Sequence, residues 1–175
     1  MTLPQGLTPG VWALDMSHSE IGFSVRHAGI SKVRGRFKAA SAEARVGDSL
    51  ANSSLHASVE TASFDSGDAN RDAHVRGPDF FDVENFPDIE FRSTKVERGR
   101  DRDSLNLEGR LTIKGNTQTV KLNVNEMDHS RSPRGEEFVY YSATTEIDRF
   151  AFGFDYGRLL IGRTLKVTIN VQASA

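Results

Sequence analysis

The chain contains no cysteine in its 175 residues, which excludes a disulfide scaffold, thiol catalysis and thiolate metal sites together. No stretch comes near the ~20 consecutive apolar residues that a membrane-spanning helix needs, so no integral membrane segment is expected. The opening residues MTLPQGLTPG have neither a basic start nor an apolar run. No secretory signal is legible in them, and the cytoplasm is the expected location. Strong charge of either sign is also missing. A net charge of −2, with the arginines of 98–102 and 131–134 interleaved with Asp101, Asp103 and Glu136, leaves no basic patch for nucleic acid. Charged residues at 26% and apolar residues at 37% are those of a soluble globular protein, and the length suits one domain.

What the chain does have is alternation. Ile21, Phe23, Val25 and His27 share one parity against Glu20, Ser24 and Arg26, as a half-buried strand requires. Val33, Gly35, Phe37 and Ala39 repeat it, and Ala40, Ala42, Ala44 and Val46 then take the apolar parity. That change of phase predicts a bulge or sharp bend, with Gly35 as a site of close backbone approach. Further strands are expected at Val11–Asp15, Leu55–Val59, Ile89–Val96, Leu105–Ile113, Val120–Val124, Val139–Arg149 and Leu165–Val171. Turns are expected at Asp15–Ser19, Ser63–Gly67, Arg98–Asp103 and Gly115–Asn116, with a polar loop at Asp128–Gly135. Roughly eight strands with little helix specify an antiparallel barrel or a sandwich. The barrel is favoured, because long single-parity runs would otherwise leave exposed edges.

One stretch does not alternate. Arg71–Ser93 sets Phe80, Phe81, Phe86 and Phe91 among acids, arginines and two prolines. Pro78 and Pro87 force extended geometry on their predecessors, so the segment reads as an irregular plug over one end of the hydrophobic interior. A turn or two of helix is expected at its start, over Asp68–His74, capped by Ser66 or Asp68.

The inward parity nominates Ile21, Phe23, Val25, Val33, Phe37, Phe91, Leu107, Leu111, Ile147, Val167 and Ile169 as interior. Whether they line a pore or fill a solid core is open at this point, since an eight-stranded barrel supports both. His27 and Arg149 fall at the rims of their runs, as candidates for a ligand's polar head. For Arg149 the structural alternative is pairing with Asp15, Asp72 or Asp148. His18, His27, His56, His74 and His129 show no ligand spacing, so no metal is expected. Asp79, Asp82 and Asp88 have no spacing diagnostic of acid–base catalysis, and Asp15, His18 and Ser19 lie too close in the chain for triad geometry. No catalytic residue, enzyme activity or cofactor is expected.

Several ordered motifs resemble one family. Asp15, His18, Ser19, Ile21, Phe23, Val25, His27, Gly29, Ser31, Val33, Gly35 and Phe37 form its opening signature. Arg71-Asp72-x-His74, Asp79-Phe80-Phe81-Asp82-Val83 and Phe86-Pro87-x-Ile89-x-Phe91-x-Ser93 follow as its middle one. Gly109-x-Leu111-Thr112-Ile113-x-Gly115-x-Thr117 and Arg149-x-x-Phe152-Gly153 complete the series, with Gly77 standing where a small hydroxyl residue is common. The chain thus resembles the YceI-like, lipocalin-like polyisoprenoid-binding family from about Val11 to its C-terminus. The resemblance implies an all-β fold, an extended eight-stranded antiparallel barrel with a short helical plug around residues 68–82. Residues 1–10 would be an N-terminal leader and 11–175 the barrel domain. It also implies an apolar pore holding a polyisoprenoid or other long apolar molecule, and a homodimer. Ile21, Phe23, Val25, His27, Phe37, Phe81, Phe91, Leu111, Ile147, Arg149 and Phe152 are the expected ligand-binding residues. Phe150 and Phe154 would line the far side. The alternative function is a stress-response or interaction module with a solid core and no ligand.

Overall fold

The first long strand, β1 (Gly10–His27), runs for 18 residues, straight through the turn expected at Asp15–Ser19. Its apolar parity changes there because the strand bulges: Asp15 lies opposite Gln172, but Glu20 lies opposite Asn170. The bulge is held by its own polar groups. The Asp15 carboxylate accepts from the Ser17 amide (3.0 Å), and the Ser19 hydroxyl donates to the Asp15 carbonyl (2.6 Å) while accepting from the Gln172 amide (3.0 Å). An irregularity that returns the chain to the same strand reads locally like a turn.

The computed structural model describes residues 3–175. After β1 come β2 (Ser31–Phe37), β3 (Ala40–Val46), β4 (Ser54–Glu60) and β5 (Phe64–Asp65), then the helix α1 (Ala69–Arg76). Five longer strands follow: β6 (Asp88–Arg98), β7 (Ser104–Ile113), β8 (Asn116–Arg131), β9 (Glu137–Asp148) and β10 (Thr164–Ser174). Strands β2 and β3 both lie along β1, one on each side of a bend at Lys38–Ala39, and act as one bent strand. Likewise β4 pairs with β3 and β5 with β2. Counted this way the ring is an eight-stranded antiparallel barrel, closed where β10 pairs with β1.

The remaining departures have local causes. Phe64–Asp65, expected within a turn, adds a short rung to β2 opposite Arg36 and Phe37. The hairpin between β7 and β8 turns on Lys114 and Gly115, both at positive φ (51° and 75°), one residue earlier than expected. This is the backbone of a type I′ turn. Strand β8 runs on to Arg131 through half of the expected polar loop. Its register slips between Glu126 and Asp128, so the strand's second half is out of phase with its first.

At the end of the barrel where β1 finishes, α1 and the turns after it form the plug. Asp68 caps the helix, accepting from the amides of Asn70 (3.0 Å) and Arg71 (3.1 Å). The helix ends at Arg76 instead of continuing towards residue 82, because Pro78 holds Gly77 extended at ψ −178°. Thr61, buried, ties the plug to β4 by donating its hydroxyl to the carbonyls of Phe86 and Pro87 (2.8 Å each). Phe81 fills the centre, its ring edge-on to Phe37 (5.5 Å) and Phe154 (5.3 Å). At the opposite end Trp12, 2% exposed, packs with Val46 and Val139. Residues 1 and 2 of the expected leader lie outside the described residues, while Leu3 and Leu7 lie against the Trp12 cluster. No helix among the described residues is long and apolar enough to cross a membrane.

Gly35 sits where the sequence placed a close approach: a Cβ there would overlap the Phe64 ring. Gly35→Ala is therefore expected to destabilise the barrel by about 1–3 kcal/mol, read as a lower midpoint of urea unfolding with an unchanged slope.

Candidate functional site

Between the two plugs the barrel interior is not close-packed. It encloses a cavity of about 930 Å³, near the upper end of the ~300–1,000 Å³ usual for small-molecule sites. The cause is the size of the inward side chains. Ala42 and Ala57 lie directly opposite each other on β3 and β4, and Ala143 faces the same interior from β9. Leu14, Leu55, Leu107, Leu122 and Val171 point inward yet remain half-buried. An inward side chain on a closed barrel keeps accessible surface only where it borders space. From Trp12 to His27 the bordering wall runs roughly 35–40 Å along the axis, given strand rise and tilt.

All eleven residues nominated from sequence border this cavity, at three depths. Phe37, Phe81, Phe91, Ile147 and Phe152 are buried, and all but Phe91 belong to the cluster beneath the plug, at the upper end where β1 finishes. Ile21, Phe23, Val25 and Leu111 form half-buried wall. His27 is exposed at the mouth, where β1 turns into β2. Phe154 also lines the interior, but Phe150 does not. The Phe150 ring instead lies within 4.9 Å of the Arg149 guanidinium, 4.5 Å of Arg158 and 5.0 Å of Arg163. The sequence reading missed the lower wall (Trp12, Leu14, Ala42, Ala57) and most of the mouth (Arg71, His74, Tyr156, Leu160). Parity could have found Ala42 and Ala57. The mouth residues sit on a helix and a loop, where period two carries no information.

Arg149 is 2% exposed, and its partners are none of the three acids considered. It donates to four carbonyls: Gly162 (2.8 Å), Phe154 (2.7 Å), Tyr156 (2.9 Å) and Ile161 (3.0 Å). Burial pulls its pKa below the ordinary arginine value, with Arg158 adding to the effect and Asp155 and Asp148 opposing it. The guanidinium thereby holds both arms of the 153–162 loop, which forms one lip of the mouth. Asp148 is taken by Arg163 (2.7 and 2.9 Å), which holds its carboxyl below the usual range. Asp72 accepts from the Ser66 amide (3.0 Å), and Arg71 reaches the Ser66 hydroxyl (2.8 Å). Deeper in, the Tyr141 hydroxyl is buried with no partner among the described residues, and burial, then Glu126, pushes its pKa up.

Asp15 and His18 do meet, at 2.7 Å through Nδ1, but Ser19 turns away to the Asp15 carbonyl. The hydroxyl near His18 belongs to Ser17, and it faces the same Nδ1 at 3.1 Å. A triad needs the two ring nitrogens divided between acid and nucleophile, and this exposed cluster does not divide them. Among the described residues no three histidine or acidic side chains gather as metal ligands.

Comparison with known proteins gives concordant relatives. Residues 12–173 match the YceI-like domain family. A UPF0312 protein of Vibrio parahaemolyticus is 32% identical over 152 residues, covering 85% of this chain and 79% of that protein. The crystal structure of Burkholderia cenocepacia BcnA superposes with a TM-score of 0.80 at 23% identity, covering 91% of this chain and 98% of that one. A polyisoprenoid binding domain from Saccharophagus degradans, implicated in plant cell wall breakdown, superposes at 0.70 with 16% identity, covering 94% and 98%.

Replacing Arg149 with leucine strands the four carbonyls that now accept from its guanidinium. Arg149→Leu is expected to cost about 3 kcal/mol or more and to make residues 153–162 exchange amide hydrogen early. A melt combined with hydrogen-exchange mass spectrometry reads both.

Proposed function

The chain belongs to the YceI-like domain family, and on that premise we propose that it binds, sequesters or transports a lipophilic polyisoprenoid, an isoprenoid quinone or polyprenyl compound, in the barrel cavity. The observation that carries this reading is the apolar-walled space of about 930 Å³ within a closed ring, which a solid interaction module would not have. The Saccharophagus degradans neighbour, described as a polyisoprenoid binding domain, supports the same ligand class. Binding of this kind needs burial and no reactive group. On the order of ten buried CH₂ groups contribute ~8 kcal/mol, comparable with the cost of immobilising a small molecule.

In this reading the tail runs down the wall formed by Ile21, Phe23, Val25 and Leu111. The head stays at the mouth near His27, Arg71 and His74, the polar side chains that border the cavity there. Arg149 positions the lip and is not free to meet the head, because its guanidinium is already engaged by carbonyls. Pairing of two copies, which the family resemblance implies, belongs to the same proposal and is read by sedimentation equilibrium.

Solvent extraction and native mass spectrometry of protein purified from cells should yield an isoprenoid in stoichiometric amount. Ala57→Phe, which fills the bore opposite Ala42, should keep the fold and weaken ligand retention by about tenfold or more. Reproducible absence of lipid from the unaltered protein would refute carriage.

A further inference from the structure

Among the described residues six large hydrophobic side chains are exposed, and four of them, Ile30, Tyr156, Leu159 and Leu160, stand at the mouth. Exposed apolar residues scattered singly are ordinary; gathering at one opening is not. Ile30 (90% exposed) tips the β1–β2 hairpin, and Leu159 (99%) tips the 153–162 loop. Backbone bonds hold the two tips side by side, from the Ala28 amide to the Leu160 carbonyl (2.5 Å) and from the Gly162 amide to the Arg26 carbonyl (2.7 Å). They form one structured apolar edge.

The two segments that form that edge are basic apart from Asp155, while the plug beside them carries Asp68, Asp79, Asp82 and Glu84. Between Glu20 and Glu43 the chain carries Arg26, Lys32, Arg34, Arg36 and Lys38 and no acid, and from Tyr156 to Lys166 it carries Arg158, Arg163 and Lys166 and no acid. Arg26 and Lys32 pair across the hairpin just behind Ile30, and Arg158 directly precedes Leu159. Stacking on Phe150 keeps Arg158 near the Arg149 guanidinium. The acids at this end include Asp148, paired with Arg163 (2.7 Å), Asp79, paired with His74 (2.9 Å), and Asp155 beside Arg149.

From this placement we propose that the mouth is a docking surface for an anionic lipid bilayer. Ile30 and Leu159 enter the interface, and Arg26, Lys32 and Arg158 meet the phosphates. Apolar tips backed by basic residues are the arrangement that binds such surfaces. A second copy suits the edge poorly, because self-pairing would bring the same cations face to face. The docking rests on the carrier reading for its purpose, since it would let a lipid pass from bilayer to cavity without crossing water. Its test does not depend on that reading.

The full chain is sedimented with vesicles of phosphatidylcholine alone and of phosphatidylcholine containing phosphatidylglycerol, with no isoprenoid added. Retention is expected on the anionic vesicles only, and should fall as salt rises. Paired substitution of Ile30→Ser with Leu159→Ser, and separately of Arg26→Glu with Arg158→Glu, should each weaken retention by about tenfold or more with unchanged melting temperature. Because the two variants alter different side chains, misfolding of one leaves the other as the test. Absence of retention, equal retention on neutral vesicles, or a dimer abolished by the serine variant would overturn the proposal. If the protein docks but yields no co-purifying lipid, the carrier reading fails and the docking stands.

Discussion

Ring closure between β1 and β10 is the constraint on which everything else in this barrel depends. Once eight strands close antiparallel, strand number and tilt set the bore, and the inward side chains can only fill it or fail to fill it. Here they fill it at both ends and not in the middle. Trp12 closes the lower end, and phenylalanines from β2, β5, the plug and the 149–154 segment narrow the upper one beneath the mouth. Between them alanines on three strands leave the bore wider than its contents. The cavity therefore follows from side-chain size at inward positions of a ring whose diameter those positions do not control.

The two closures are built differently. The lower one is a side-chain plug, with the Trp12 indole nitrogen donating to the Thr8 carbonyl at 3.0 Å. The upper one is a backbone structure, bound to the barrel by Thr61, by the Arg149 fan of hydrogen bonds, and by Lys114 donating to the Pro78 carbonyl (2.9 Å). A buried guanidinium surrounded by carbonyl oxygens keeps its charge and meets its hydrogen-bonding need without a carboxylate. That leaves Asp148 to hold Arg163.

The barrel was legible wherever one parity persisted. Leu105–Ile113 and Leu165–Val171 read as strands and are strands, and Val139–Arg149 is a strand as far as Asp148, Arg149 opening a 3-10 turn; their inward faces are those that alternation assigned. The helix cap at Asp68 was equally plain, because a short acid before a helical turn satisfies its free amides. Misreadings arose at bulges. At Asp15–Glu20 and Glu126–Asp128 extra residues reverse the phase without ending the strand, so a rule based on period two sees a turn or a loop. The site divides the same way. Wall residues followed from alternation, whereas Arg71, His74, Tyr156 and Leu160 lie on segments with no alternation to read.

Alternation, composition and short-range capping determined by themselves that the chain forms antiparallel strands around an apolar inside, with a proline-bounded plug over one end. They could do so because these are local properties, set by neighbouring side chains and backbone geometry. Only the tertiary structure decided how much space the inside holds, which four carbonyls take up Arg149, and that Ile30 and Leu159, 129 residues apart in the chain, stand together at one opening. Those depend on distances between strands and loops remote in sequence, which no local pattern encodes.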